Sequence, residues 1–306
     1  QSRMARLTLT KDPEYSERCL SAAERCLSWC LKNGPGKTAQ AIGALVTAAT
    51  ELYKTTKNDR YANLAVRYAR QLMELQITTS TDTDHTLSGF FMESRNSAQP
   101  YRQISRTCYP LISLCDLPDA LPSHSDVPKW KDAVQRYVQD YLVPIMNRNN
   151  FRIVPYGLYA GEDPGGSRKV GKYWYRYFMV PEDWWVGINT NLTAHGVGLV
   201  KAARLLQKSS LIGYAQNQLD WVLGVNPFYA STMEGVGHNH PDRFVNSVEF
   251  KPPTPRIPGA VLNGLGGTPK DQPTKGDEHL PYHVSEYWTP MIAHTLWLMA
   301  ELERET

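Results

Sequence analysis

The chain has 306 residues, room for one large domain or two ordinary ones. It is 42% hydrophobic and 21% charged with a net charge of +3, which describes a globular chain with a full core. That balance excludes partners held mainly by charge, such as nucleic acid or an acidic membrane surface, and no stretch is apolar enough to span a bilayer as a helix.

The first recognisable element is a short one. Asp12-Pro13-Glu14-Tyr15 matches the later turn Asn58-Asp59-Arg60-Tyr61, and an apolar run at Leu20, Ala23 and Leu27 follows it. Arg3 to Thr10 is then only the tail of a first helix, and the spacing predicts a chain that begins inside a repeat. The first residue is Gln, and no signal peptide precedes it. A mature secreted chain looks like this, as does one clipped elsewhere.

Gly43 through Leu75 reads as two helices joined at Lys57-Asn58-Asp59-Arg60, because small and apolar residues recur every three or four positions on both sides. The same design returns from Gly198 through Leu223, with its turn near Ser209-Ser210. Ala48-Ala49 matches Ala202-Ala203, and Tyr61-Ala62 matches Tyr214-Ala215. Lys129 to Val134 opens a further second helix of this type. These are repeated helical hairpins. Five cysteines (Cys19, Cys26, Cys30, Cys108, Cys115) cannot all pair within one chain, and none follows a CxxC zinc spacing, so buried thiols are expected.

Three segments break the helical period. Ile77 to Pro100 is polar, and its Asp82 and Asp84 fall in a threonine-rich run that reads as a solvated loop. Phe151 to Val186 is rich in Gly and aromatics, with Tyr173 to Phe178 and the pair Trp184-Trp185; strands or a lid fit it equally well. Asn226 to Tyr282 holds much of the Pro and Gly. Long irregular segments inside a compact domain tend to be functional.

The densest chemistry lies in Tyr282-His283-Val284-Ser285-Glu286-Tyr287-Trp288-Thr289-Pro290, just before a final apolar helix from Met291 to Leu302. A Glu held against Tyr282, Tyr287 and Trp288 loses hydration, which disfavours its charged form and suits it to give a proton to a leaving oxygen. An acidic residue near a helix start is also favoured by the helix macrodipole, so spacing alone leaves both readings open.

Order along the chain adds to this. Gln218 to Pro227 ends a helix in Leu-Gly-Val-Asn-Pro; Thr232 to Gly237 supplies a Gly-x-Gly stretch; Pro258 to Gly264 reads Pro-Gly-Ala-Val-Leu-Asn-Gly; and Ser285-Glu286 precedes the last helix. This succession resembles the carboxy-terminal half of family 9 glycoside hydrolases, the inverting cellulase family, with Ser285-Glu286 where the family has Asn-Glu. The resemblance implies an all-α (α/α)6 toroid of helical hairpins, a single helical-toroid catalytic domain over 1–306 that is incomplete at its amino-terminal side. It implies Glu286 as the proton-donating acid. It also implies that the loop Gly237 to Arg243 binds sugar: Arg243 matches the family's Arg, His240 fits with a gap, and Asp242 departs from the pattern. His238 with His240 forms a His-x-His pair with no evident third metal ligand. Trp185 and Tyr282 are the candidate stacking surfaces, with core packing an even alternative for Trp185.

Inversion needs a second carboxylate to activate water. The family draws it from an Asp-rich motif that has no match here, so the base is expected to be missing or to lie on upstream sequence, with an upstream segment or a partner chain completing the toroid. The 306 residues alone are expected to turn over little. Three functions stay open: inverting hydrolysis of a β-linked glucan or related glycan, exo-acting glucosaminidase included; carbohydrate binding without catalysis; and a lyase or epimerase on a helical toroid. The first is favoured, with a carbohydrate substrate, a secreted or periplasmic location and no required cofactor. A structural calcium is not visible in the sequence.

Overall fold

In the computed structural model, which describes residues 1–79, 87–104, 106–180, 187–241, 256–275 and 282–305, the described chain falls into two compact units. The first comprises Gln1–Thr78, Gly89–Tyr101 and Tyr109–Tyr137; the second comprises Thr79–Ser88, Arg102–Cys108 and Val138–Thr306.

The first unit opens with α1 (Ser2–Thr8) and α2 (Pro13–Lys32). Asp12 caps α2 by accepting the Tyr15 N–H, and Pro13 starts it where a missing N–H costs nothing. α1 is not frayed. The Ser2 hydroxyl bonds the Glu51 carbonyl at 2.8 Å, and Arg3 and Arg6 both grip the Glu51 carboxylate. α3 (Ala39–Thr56) and α4 (Asp59–Met73) form the predicted hairpin. Thr38 caps α3 through the Ala41 N–H and Asn58 caps α4 through the Arg60 N–H, with Lys57 in the left-handed region between them. α5 (Tyr109–Ala120) packs its start against Gly43, where a Cβ would stand 2.7 Å from the Tyr109 backbone. α6 (Val127–Gln135) runs on into a π-helical stretch, Arg136–Leu142.

The second unit continues with α7 (Val143–Met146) and a three-stranded antiparallel sheet of β1 (Gly157–Ala160), β2 (Lys169–Val170) and β3 (Tyr173–Arg176), in the order β1-β3-β2. Leu158 faces Tyr175 across β1 and β3. The aromatic segment is therefore a small sheet. Its alternation was hidden because aromatics stand on both of its faces, and Tyr173, Tyr175 and Arg176 are all buried. α8 (Asn189–Leu206) and α9 (Ser210–Val222) repeat the hairpin of the first unit down to its turn, where Gln207 takes the left-handed place of Lys57. Every residue of α8 from Asn189 to Val200 is buried, whereas α9 buries one face. That contrast is the signature of an inner helix beside an outer one. A short β4–β5 hairpin (Gly266–Gly267, Pro273–Thr274), α10 (Tyr282–Ser285) and α11 (Thr289–Glu303) complete the described chain.

None of the five cysteines is in a disulfide. Cys19, Cys108 and Cys115 are buried as expected, but on α2 Cys26 is exposed and Cys30 half-buried, both lining an open cleft beside Ala44 and Ala48 of α3.

Candidate active site

The site grows where the first residues of α8 and the segment just before α11 meet one turn. Gly187 donates to the His283 carbonyl, Ile188 to that of Leu265 and Asn189 to that of Asn263. A Cβ on Gly187 would sit 2.1 Å from the Gly264 carbonyl oxygen, so only glycine allows this approach. Asn189 then ties the motifs together: its Nδ2 donates to Thr232 Oγ1 at 2.7 Å and to the Leu262 carbonyl at 3.0 Å. Gly264, at a φ of 91°, has no Cβ to strike the Asn189 side chain.

The Ala260–Gly264 turn is the hub. On one side Leu262 donates to the Thr232 carbonyl and Glu234 donates to that of Ala260. On the other, Asn263 donates to the Glu286 carbonyl at 2.8 Å, Gly264 donates to that of Val284, and Leu262 bridges Tyr287. Three stretches far apart in sequence thus form one loop cluster around the Glu286 backbone.

Glu286 is half-buried and lies between α10 and α11, three residues before Thr289. The first turn of α11 contains no acidic residue, so helix-end stabilisation does not account for it. Its Oε2 accepts the Trp288 indole N–H at 2.8 Å. Trp288 in turn packs on a core of Tyr156, Tyr159, Met179, Val222, Met233, Val261 and Met291. Tyr156 and Tyr159 of the sheet segment thus back the Trp288 ring that bonds Glu286. The expected wall of Tyr282, Tyr287 and Trp288 is corrected in one member: Tyr287 sends its hydroxyl to Glu234 instead. In an extended segment neighbouring side chains leave opposite faces, and Trp288 shares the Glu286 face while Tyr287 does not.

Tyr282 begins α10, and its side chain lies outside the described residues. Trp185 and Arg243 also lie outside them, as do Asp82, Asp84 and Asp242. His238 is exposed on the loop that leaves the cluster; its backbone meets Ser231 and Leu223. His240 is half-buried, with Nδ1 3.1 Å from the Pro241 carbonyl. The structure therefore places Glu286 and both histidines on connected loops of one unit. Among the described residues no group of three or more His, Cys, Asp or Glu is arranged to hold a metal.

Sequence reasoning missed Asn189 and Glu234. Glu234 left one signal: it is the sole Asp, Glu, Lys or Arg from Leu223 to Asn239. Arg176 was also missed. Its guanidinium is fully buried and donates to the carbonyls of Phe178, Pro164, Gly165, Pro269 and Thr268, fastening the sheet to the β4–β5 hairpin.

The profile of the glycosyl hydrolase family 9 matches residues 2–282. The chain belongs to glycosyl hydrolase family 9. Glu286 lies just past the matched span, so its place rests on the loop geometry and on the ordered motifs. No curated protein matches significantly. Among solved structures, the cellulase Cel9M of C. cellulolyticum is 16% identical with a TM-score of 0.60, over 100% of this chain and 62% of that one. The endoglucanase of the termite Nasutitermes takasagoensis is 19% identical with a TM-score of 0.60, over 98% of this chain and 62% of that one. A family 9 protein of Bacteroides ovatus is 18% identical with a TM-score of 0.60, over 99% of this chain and 51% of that one. This chain thus spans about half to three-fifths of the length of these relatives. At such identities the likeness establishes the fold, the helical hairpins of the (α/α)6 toroid class.

Proposed function

We propose that the protein hydrolyses a β-linked glucan or a related glycan with inversion, Glu286 giving its proton to the departing glycosidic oxygen. The observation that carries this reading is the hold on Glu286: its backbone is fixed by the Pro258–Gly264 turn, and its carboxyl by Trp288. A general acid must stand within hydrogen-bond reach of the oxygen it protonates, so a fixed carboxyl beside an aromatic wall suits the task. Family membership supports the same chemistry, and a Cel9M structure is described as a complex with cellobiose.

In this reading Arg243, His238 and His240 contact sugar hydroxyls, since guanidinium and imidazole groups offer the donors and acceptors that hydroxyls need. Trp185 and Tyr282 offer faces for a pyranose ring. The roles of Arg243, Trp185 and Tyr282 rest on their sequence positions alone. A secreted or periplasmic location belongs to the same proposal, because a polymeric glucan is met outside the cytoplasm. The water-activating base is a second carboxylate. Glu234 is unsuited to it, being fully buried with both oxygens engaged.

Product analysis tests the proposal. Native protein incubated with β-glucan oligosaccharides should release a new reducing end that first appears as the α-anomer in proton NMR. An unsaturated sugar would assign a lyase, and binding without turnover would assign a carbohydrate-binding relative; either result overturns hydrolysis.

A further inference from the structure

Glu234 occupies an unusual place for a carboxyl group. It is 0% exposed, in a loop between Met233 and Gly235, and burial of such a group is costly unless its oxygens are bonded. Both are. Oε1 accepts the Ile257 backbone N–H at 2.6 Å, with the Arg256 guanidinium 4.0 Å away, and Oε2 accepts the Tyr287 hydroxyl. The Glu234 backbone is held as well, donating to Ala260 at 2.9 Å and accepting from Gly259 at 2.7 Å. One side chain therefore joins the loop after α9, the turn that begins at Ile257, and the segment that carries Glu286.

The consequence follows from the pleat. Tyr287 bridges Leu262 and sits between Glu286 and Trp288 in an extended stretch. Side chains alternate there, so anchoring Tyr287 on one face sets Glu286 and Trp288 on the other. A slip of one residue would turn the Glu286 carboxyl away and bring the phenol in its place. Bonds from Asn263 to the Glu286 carbonyl and from Gly264 to that of Val284 hold the backbone beside this single bridge, and the Tyr287 hydroxyl adds the side-chain anchor that fixes which face Glu286 takes.

We propose that Glu234 is a positioning residue for Glu286, acting through the Tyr287 hydroxyl to fix which face of the segment the acid occupies. The proposal rests on the reading of Glu286 as the acid, and it adds a group that touches neither sugar nor the reacting oxygen.

The test uses native protein with Glu234→Gln and Tyr287→Phe, singly and together. Two quantities are followed besides melting temperature: turnover on a β-glucan oligosaccharide, and the indole N–H resonance of Trp288, assigned with Trp288→Phe. That resonance reports the bond to Glu286 Oε2 with no substrate present. Both single variants should move it in the same direction and lower kcat about 10- to 100-fold with KM nearly unchanged, because small misplacements of a catalytic group have effects of that size. The double variant should be no worse than the worse single one, as expected of two residues in one linkage. If Glu234→Gln does not fold, Tyr287→Phe, which removes only the hydroxyl, decides the matter by the same readings. A lowered melting temperature with the indole resonance and kcat unmoved would make Glu234 purely structural and overturn the proposal. Independent, additive losses would overturn it too. If the whole native protein, and not these 306 residues alone, shows no turnover, the hydrolase reading falls while the indole resonance still decides for or against the linkage.

Discussion

Trp288 gives Glu286 a directed N–H at 2.8 Å while its ring rests on the Met233–Val261 core. Replacing it with Phe keeps an aromatic face and deletes the donor. We expect Trp288→Phe to lower kcat roughly tenfold, the low end for disturbing a catalytic acid, with a modest loss of melting temperature. Equal kcat for the two proteins would mean that the indole bond does not orient the carboxyl. Glu286 stood out in the sequence as a candidate because a charged residue among aromatics is conspicuous and because four motifs arrive in a fixed order. The partner of Tyr287 was not legible. Glu234 lies 53 residues earlier, and neither helical period nor turn chemistry states which loops will meet.

Hairpin elements were read well from pattern. The turn of the α3–α4 pair falls at Lys57-Asn58, and that of the α8–α9 pair at Gln207 to Ser209. Small and apolar residues at helical spacing record both the inner face and the place where it stops. The β1-β3-β2 sheet was legible only as an irregular aromatic region, since buried residues on both faces erase the two-residue alternation. What holds that sheet in place is Arg176, a residue that composition would put at the surface. Its guanidinium lies 3.7 Å from Asp271, whose carboxylate also accepts the Tyr177 and Phe178 N–H groups and Arg168. Arg176→Met should therefore leave several carbonyls and one buried carboxylate short of a partner. The expected destabilisation is about 3–5 kcal/mol by denaturant titration, the range for breaking a buried pair on one side. A loss under about 1 kcal/mol would show that water replaces the guanidinium without difficulty.

The two units should respond to acid in different ranges. In the second unit burial brings the imidazole of His195 down to about 4, against a weaker opposing effect of the Asn191 carbonyl, and burial does the same to His283. A histidine kept neutral in the fold but free to charge when unfolded stabilises the protein above its unfolded pKa near 6.5. That contribution is lost as pH falls from about 6.5 towards 4, and for His195 it is on the order of 3 kcal/mol. In the first unit burial opposes ionisation of Glu51, but the hydrogen bonds and charges of Arg3 and Arg6 outweigh it and bring the group to about 2. Stability from Glu51 is thus present above an unfolded value near 4.3 and lost as pH falls towards 2. Hydrogen exchange across an acid series should show α8 losing protection between about pH 6.5 and 4, with α1 coming away from α3 only at lower pH. Release of α1 ahead of α8 would contradict these assignments.

Protonation of the leaving oxygen by Glu286 is open to a direct check through leaving-group dependence. Native protein and Glu286→Gln would be compared on a β-glucoside chain with a sugar leaving group and on one with a dinitrophenolate leaving group. A sugar alkoxide needs a proton to depart, whereas dinitrophenolate departs without one. With Glu286 as the acid, the variant should lose about 100- to 10,000-fold on the first substrate and far less on the second. Equal losses on both, or full activity on the first, would rule Glu286 out as the acid.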